Sequence, residues 1–388
     1  MTFHHGISVT EIASTSRTLR TVATAIIGIV ATAPAAQASA FPLDTPVLVN
    51  DLETAIAAAG ETGTLKAALS AIADQVRAPV VVVRVAPGAD DTATNLAVIG
   101  EDTLTGRTGM QALLGAEAIV GAKPRIIGAP GLDTQPVATQ LALIAKKLRG
   151  MAYARAIGDD VAELAAYRAN FTQRELMLIY PDVTVPDGVL GDTKTSPAVA
   201  HALGLRALID QTQGWHKTLS NVPLRAVTGL TAPVQFDIQD IDADANLLNA
   251  ADITTLVRIN GQLRFWGNHT CAEAEDFMFE SATRTAQILA DTIAEGTVWA
   301  IDKPMVPSLA RDIVERINGK LRDLKSAGQL LGGECWFDTN KNPTAQLKAG
   351  QLLISYKYTP VPPLERLGLE QEITDEYLAD FGGLVADA

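Results

Sequence analysis

His269 and Cys271 stand two residues apart and carry the imidazole and thiol donors that bind zinc; a four-ligand site would need Cys335 and His216 as well. Those two are isolated in sequence, and no second close pair completes the set, so no tetrahedral site is expected. His4-His5 offers only a weak terminal pair. The run Asp240-Ile241-Asp242-Ala243-Asp244-Ala245-Asn246 starts like a calcium loop. Its sixth position is Ala245 where the sharp turn needs Gly, and its twelfth is Ala251 where a bidentate Glu belongs, so it reads as a solvated turn. Gly60-Glu61-Thr62-Gly63-Thr64 has the glycines of a phosphate loop without its Gly-Lys-Ser/Thr core, and Lys66 is displaced; a helix-capping turn is the plainer account. Neither G-x-G-x-x-G after the first strand nor G-x-S-x-G occurs. Trp215-His216-Lys217 and Asp302-Lys303 place titratable groups beside Trp, but with no nucleophile nearby they read as loop-fixing contacts. No catalytic residue, cofactor site or metal site is expected.

One charged array runs against the character of the chain. Arg311, Arg316, Lys320, Arg322 and Lys325 outnumber Asp312, Glu315 and Asp323 on a helix expected over residues 308–325, whose apolar stripe is Leu309, Ile313, Ile317, Leu321 and Leu324. The basic groups form either a solvated face or a docking face for an acidic partner.

The elements behind these groups are readable from periodicity. Residues 22–33, 47–50 and 79–85 read as strands, the last of them fully buried. Helices are expected at 51–60, 65–76, 137–149, 161–170 and 201–210, with a further one near 110–117. Strands are expected at 125–129, 153–157 and 175–180, and loops at 86–109 and 181–197. Strands alternating with helices make a layered α/β sheet. Ile253–Ile259, the Asn260-Gly261 turn and residues 263–266 form a hairpin. The next helix is expected over 277–293 and is stopped by Gly296. Residues 352–358 form a strand ended by Pro360, Pro362 and Pro363.

At 388 residues the chain exceeds one ordinary core, so more than one domain is expected. Its 44 acidic against 31 basic residues give a net charge of −13, a field that repels phosphate backbones and argues against direct nucleic-acid binding. Two unpaired cysteines indicate a reducing compartment. Arg17 and Arg20 ahead of the apolar run 22–36 imitate a secretory signal. Glu11 sits in the would-be basic region, and the run is too short for a membrane helix and rich in β-formers, so it is assigned to a buried strand.

Several stretches, in order, resemble the tail sheath proteins of contractile phage tails and of R-type phage-tail-like bacteriocins. They are residues 22–28, 46–49 and 79–85 in the first half, then 214–217, 223–230, 265–270, 296–300, Lys303-Pro304, 349–352 and the 360–363 proline run. The resemblance spans nearly the whole chain, and it rests on the order of these motifs.

The resemblance implies a non-enzymatic structural subunit, α/β in class and α+β overall. Subunits would stack as hexameric rings around an inner tube and contract to drive it through a cell envelope. It implies an N-terminal arm at 1–21, an outer α/β insertion domain at 22–200, a core sheath domain at 201–364 and a C-terminal arm at 365–388. Ile7, Val9, Ile12, Leu367, Leu369 and Ile373 would add strands to neighbours, received at Leu352, Ile354 and Tyr356. The basic set Arg311, Arg316, Lys320, Arg322 and Lys325 becomes a candidate tube-docking face. Implied partners are the chain itself, the inner tail tube protein, and baseplate and tail terminator proteins, with no membrane insertion. Assembly is expected in the bacterial host cytoplasm, ahead of release in a virion or tailocin. The competing reading is an α/β enzyme acting on a small molecule, with its mouth near Arg84, Pro130 and Tyr180.

Overall fold

The computed structural model describes residues 19–104, 106–188 and 191–378; Ile7, Val9 and Ile12 lie outside the described residues. The chain opens with β1 (Ile27–Thr32), β2 (Val47–Val49), α1 (Leu52–Ala58), α2 (Leu65–Gln75) and β3 (Val80–Val85). Next come α3 (Asp91–Ile99), the small hairpin β4 (Asp102–Thr103) and β5 (Gly106–Arg107), α4 (Ala116–Val120) and β6 (Ile126–Gly128). The sheet continues through α5 (Gln135–Leu148), β7 (Met151–Arg155), α6 (Val161–Arg168) and β8 (Leu176–Ile179). Strands β9 (Val183–Pro186), β10 (Thr193–Ser196) and β11 (Gly229–Leu230) flank α7 (Ala198–Thr212). After α8 (Asp244–Ala250) comes the hairpin β12 (Ile253–Ile259) and β13 (Gln262–Trp266). The last stretch holds α9 (Glu280–Thr297), α10 (Pro307–Ser326), β14 (Leu330–Phe337), α11 (Thr344–Lys348) and β15 (Ile354–Pro360).

Eight strands form one sheet in the order β13-β12-β8-β7-β6-β1-β3-β2. The six inner strands run parallel to one another, and only the margins β13 and β2 are antiparallel. β1 and β3 are buried at every position, as a parallel sheet covered on both faces requires. The period of two divides them cleanly. Ile27, Ile29, Val80 and Val82 join one core with α1, α2 and α7, while Val30, Val81 and Val83 join the opposite core with α3 and α5. Asp51 caps α1, Asp90 caps α3 and Asp160 caps α6. Asn260 and Gly261 both take positive φ, as the tight β12–β13 turn demands.

The large sheet reaches past the boundary expected at residue 200. That position lies inside α7, and β12 pairs with β8, so residues 253–266 complete a sheet begun before it. A separate core gathers Leu19, Val22, Trp215, Ile288 and Leu289 with the apolar stripe of α10, Leu330 and Cys335. This smaller unit is α9, α10 and the antiparallel pair β14–β15.

Other differences have local causes. The expected loop 86–109 contains α3, a stretch of Thr, Asp and Asn held in a helix by the Asp90 cap and the burial of Val98. The expected loop 181–197 contains the β9–β10 pair. Helix α9 runs through Gly296, which takes no positive φ and is a close-approach site: a Cβ there would overlap Leu19 Cδ2. β14 has no counterpart among the expected strands, since Gly332 and Gly333 break its pattern.

Candidate assembly interfaces

Helix α9 joins the two units through different parts of its surface. Ile288 and Leu289 enter the small core, while Glu280, Arg284, Gln287 and Asp291, spaced four, three and four residues apart, turn to the large sheet. Glu280 accepts from Tyr153 Oη and pairs with Arg206 Nη1 at 3.3 Å; Arg206 also pairs with Asp210 at 2.7 Å, and Arg284 pairs with Asp210. Arg206, Asp210 and Glu280 have no solvent exposure at their side chains. Gln287 donates to Gly150 O at 2.9 Å, and Asp291 collects Arg125, Arg149 and, at 3.2 Å, Lys123. Burial alone would raise the Asp291 carboxyl, but Arg125 and Lys123 outweigh it and hold the group below its usual range. In the sequence these residues fall between the apolar positions of α9. Their alternating signs at helical spacing were the available signal for a charged seam.

The two-stranded sheet has unequal edges. Asn318 of α10 grips one residue of β14 twice: its Oδ1 accepts from Cys335 N and its Nδ2 donates to Cys335 O, both at 2.8 Å. Cys335 lies opposite Tyr356, and because its backbone groups turn to Asn318 this is a non-hydrogen-bonded pair. By the alternation of an antiparallel ladder, the backbone groups of Ile354, Tyr356 and Tyr358 then point away from β14. No other described segment bonds to them. Asn342 grips Leu353 in the same bidentate way and closes the inner side of the pair at its end. Leu352 lies just before β15, packed with Ile354 and Tyr358 against the small core, and Tyr356 and Tyr358 stack at 6.2 Å.

The chain after β15 has no regular structure until a short 3-10 turn, Glu376–Leu378. Leu367, Leu369 and Ile373 are 69, 85 and 94% exposed. The root of this segment is clasped. His269 Nδ1 lies 2.8 Å from Asp252 Oδ1, its Nε2 forms an ion pair with Glu365 Oε1 at 2.8 Å, and Asp252 pairs with Arg168 at 3.0 Å. Burial would lower the His269 pKa, but the Asp252 hydrogen bond and the charges of Glu365 and Asp252 prevail and raise it above 6.5. At the other end of the chain, Leu19 packs on Gly296, Lys320 Nζ donates to Thr21 Oγ1 at 2.9 Å, and Val22 N bonds to Thr292 Oγ1.

The basic residues of α10 fall into two sets. Arg316 stacks on Trp299 at 4.2 Å and Lys320 serves Thr21, so both have partners within the chain. Arg311, Arg322 and Lys325 are exposed, with no ion pair among the described residues. Lys303 lies over the Trp299 ring at 4.5 Å, a loop-fixing contact, and Lys217 Nζ donates to Thr218 O and Ser220 O. The residues that resembled other chemistry are dispersed into structural roles. Cys271 is buried, its thiol pushed up to about 12. Gly60 and Gly63 take positive φ to bring Thr64 N to Thr32 O at 2.8 Å, tying α2 to the end of β1. The 237–244 turn is folded on its own carboxylates, with Asp237 accepting from Gln239 N and Asp240 from Asp242 N.

Comparison with known proteins follows this geometry closely. The family models described as Tail sheath protein Gp18 domain III N-terminal region, Phage tail sheath protein central domain and Phage tail sheath C-terminal domain match residues 24–85, 105–271 and 272–374. The change at 271/272 falls between β13 and α9, where the two cores part. The tail sheath protein of Escherichia phage P2 is 52% identical, over 98% of both chains, and the major tail sheath protein of Serratia phage KSP20 is 46% identical, over 98% of this chain and 99% of that one. Among solved structures, the sheath complex of an extracellular contractile injection system, PVC, in its contracted state superposes with a TM-score of 0.71 at 16% identity. It covers 97% of this chain and 99% of that one. The contracted helical sheath of the anti-feeding prophage gives the same TM-score at 15% identity, over 96% and 99%.

Proposed function

Because this chain belongs to the phage tail sheath protein family, we propose that its two-part architecture is that of a subunit completed by its neighbours. Its role is structural: it forms the tail sheath of a contractile phage or related injection system, and it is not an enzyme. Subunits stack as hexameric rings around an inner tube and are linked by strand exchange, in which the arms at 1–21 and 365–388 extend the β14–β15 sheets of other copies. The observation that carries this reading is the pairing of two incomplete features: a strand edge with no partner among the described residues and an extended segment with exposed Leu367, Leu369 and Ile373.

The mechanism follows from where the structure is stiff. α9 fixes the large sheet to the small unit through buried, mutually bonded charges, so the subunit moves as one body. Backbone pairing between copies tolerates rotation at the arm roots, so two packings of the same rings interconvert without breaking the links. Arg311, Arg322 and Lys325 form the candidate tube-docking face, with baseplate and terminator proteins at the ends of the sheath; Arg316 and Lys320 support it from within. Assembly takes place in the bacterial host cytoplasm. The enzyme reading loses its mouth: Arg84 is buried, and its Nη1 donates to Ala33 O.

Electron microscopy of the purified chain, alone and with its tube protein, tests the reading. Striated tubes with six-fold end views are expected, and discrete monomeric particles under every condition would overturn it. Charge reversal at Arg311, Arg322 and Lys325 should weaken tube-templated assembly, and unchanged co-assembly would reject the docking face.

A further inference from the structure

We infer that His269 is a proton-operated latch for the C-terminal segment: with both ring nitrogens protonated it fastens Glu365 to the large-sheet unit, and its deprotonation frees the root of that segment. The inference rests on the assembly reading above and adds what anchors the C-terminal segment and what releases it.

The geometry calls for an imidazolium. His269 Nδ1 lies 2.8 Å from Asp252 Oδ1 and Nε2 lies 2.8 Å from Glu365 Oε1, so each ring nitrogen faces a carboxylate oxygen. A neutral imidazole has one N–H and one lone pair. Whichever nitrogen lost its proton would turn that lone pair on a carboxylate at hydrogen-bond distance. Asp252 is held in place, because Arg168 Nη2 donates to its other oxygen at 3.0 Å. Glu365 sits on a stretch without regular structure, so it is the partner that leaves.

The charges around the ring point the same way. α6 contributes Arg168, the α8–β12 junction Asp252 and the C-terminal segment Glu365, while Phe279, just before α9, contributes only an uncharged ring with its centroid 5.4 Å away. Arg168 offsets Asp252, and among the described residues Glu365 has no ion pair but His269. Protonated His269 therefore completes a chain of alternating sign, Arg168, Asp252, His269 and Glu365. Neutral His269 leaves that chain with one negative charge in excess. Burial opposes the charged ring, but the Asp252 hydrogen bond and the two carboxylate charges outweigh it, and the pKa is raised.

The latch holds a root and leaves the segment beyond it uncovered. Residues 361–375 have no regular structure, and Leu367, Leu369 and Ile373 stay exposed after Glu365. Fastening Glu365 fixes the point from which the segment starts without hiding the side chains it offers to another copy. That removes conformational freedom which docking would otherwise have to remove, so the closed latch favours assembly. Residues 361–364 are then held at both ends, by β15 on the small unit and by His269 on the large one. A pull on the segment passes into the large sheet through Asp252 and Arg168 as well as into β15.

The test is the critical concentration for tube formation at pH 6 and pH 8.5, read by sedimentation and electron microscopy, for the unsubstituted chain, His269→Gln and Glu365→Gln. Groups titrating elsewhere act alike in all three chains, so the latch is read in their differences. At pH 6 both variants should need severalfold more protein than the unsubstituted chain, up to about fivefold for a partly exposed clasp. At pH 8.5 all three should need the same amount. Melting temperatures check that the variants are folded, and Glu365→Gln, outside the buried cores, keeps the test decisive if His269→Gln is unstable. Equal values at pH 6, a difference that persists unchanged at pH 8.5, or variants that assemble more readily would overturn the inference. An unsubstituted chain that forms no tubes at either pH would bring down the assembly reading beneath it as well.

Discussion

Strand β13, at one margin of the large sheet, is covered by its own chain: Asn221 N bonds to Phe265 O at 2.8 Å and Leu224 N to Leu263 O at 2.9 Å. Strand β15, at the margin of the small sheet, has no such cover among the described residues, and the chain that leaves it carries exposed leucines past it. The first region is a finished α/β core. The second meets the same edge problem without a described segment over it, and the proposed function gives that edge to another copy. The contrast separates what makes the subunit fold from what makes it assemble, and it predicts that the two can be disrupted independently.

The largest effect is expected from removing residues 365–388. The monomer should keep its circular dichroism spectrum and melting temperature, while sheath tubes disappear from electron micrographs. A truncated chain that still polymerises would erase the distinction. Next in size is the seam between the units. Arg206→Ala leaves Glu280 buried with no cation beside it and Asp210 with Arg284 alone, which should lower unfolding free energy by about 3–5 kcal/mol in denaturant titration.

Two histidines sharpen the comparison through pH. His201 is buried in the body between Gln75 Nε2 and Ser196 Oγ, and burial lowers its pKa to about 4. The unfolded chain binds that proton more readily, so the body should lose about 3 kcal/mol as pH falls from 6.5 to 4, and His201→Gln should flatten this slope. His269 at the arm root has the opposite sign. Its raised pKa makes the clasp fully stabilising below pH 6.5 and progressively weaker as pH rises through the folded value. Because the site is partly exposed, the effect should be below about 1 kcal/mol. Trypsin cleavage after Arg366 reads it: wild type should be protected relative to His269→Gln at pH 6.5 and equal to it at pH 8.5.

The finished region was the legible one. Unbroken β-branched runs such as residues 80–85, the Asn260-Gly261 turn and the Asp51 cap are local signals, and the strands and helices they predict are present. The smaller unit was legible only in part. Resemblance proposes the arm leucines and the region of β15, whereas β14 was hidden by Gly332-Gly333, and Asn318 has meaning only once α10 lies across Cys335. The charged seam of α9 was not legible, because helical periodicity marks a polar face without saying whether water or another charged surface meets it. Of the five basic residues on α10, only the folded chain separates Arg316 and Lys320, which have internal partners, from the three that face outward.

Cryo-electron microscopy of the assembled sheath, at a resolution that separates strands, tests the central claim most directly. A strand with the side-chain sequence of residues 367–373, traced from a different subunit and hydrogen-bonded to Ile354, Tyr356 and Tyr358, with Asn318 still on Cys335, is the predicted result. A β15 edge left in solvent, or filled by the same subunit's own tail, would contradict it.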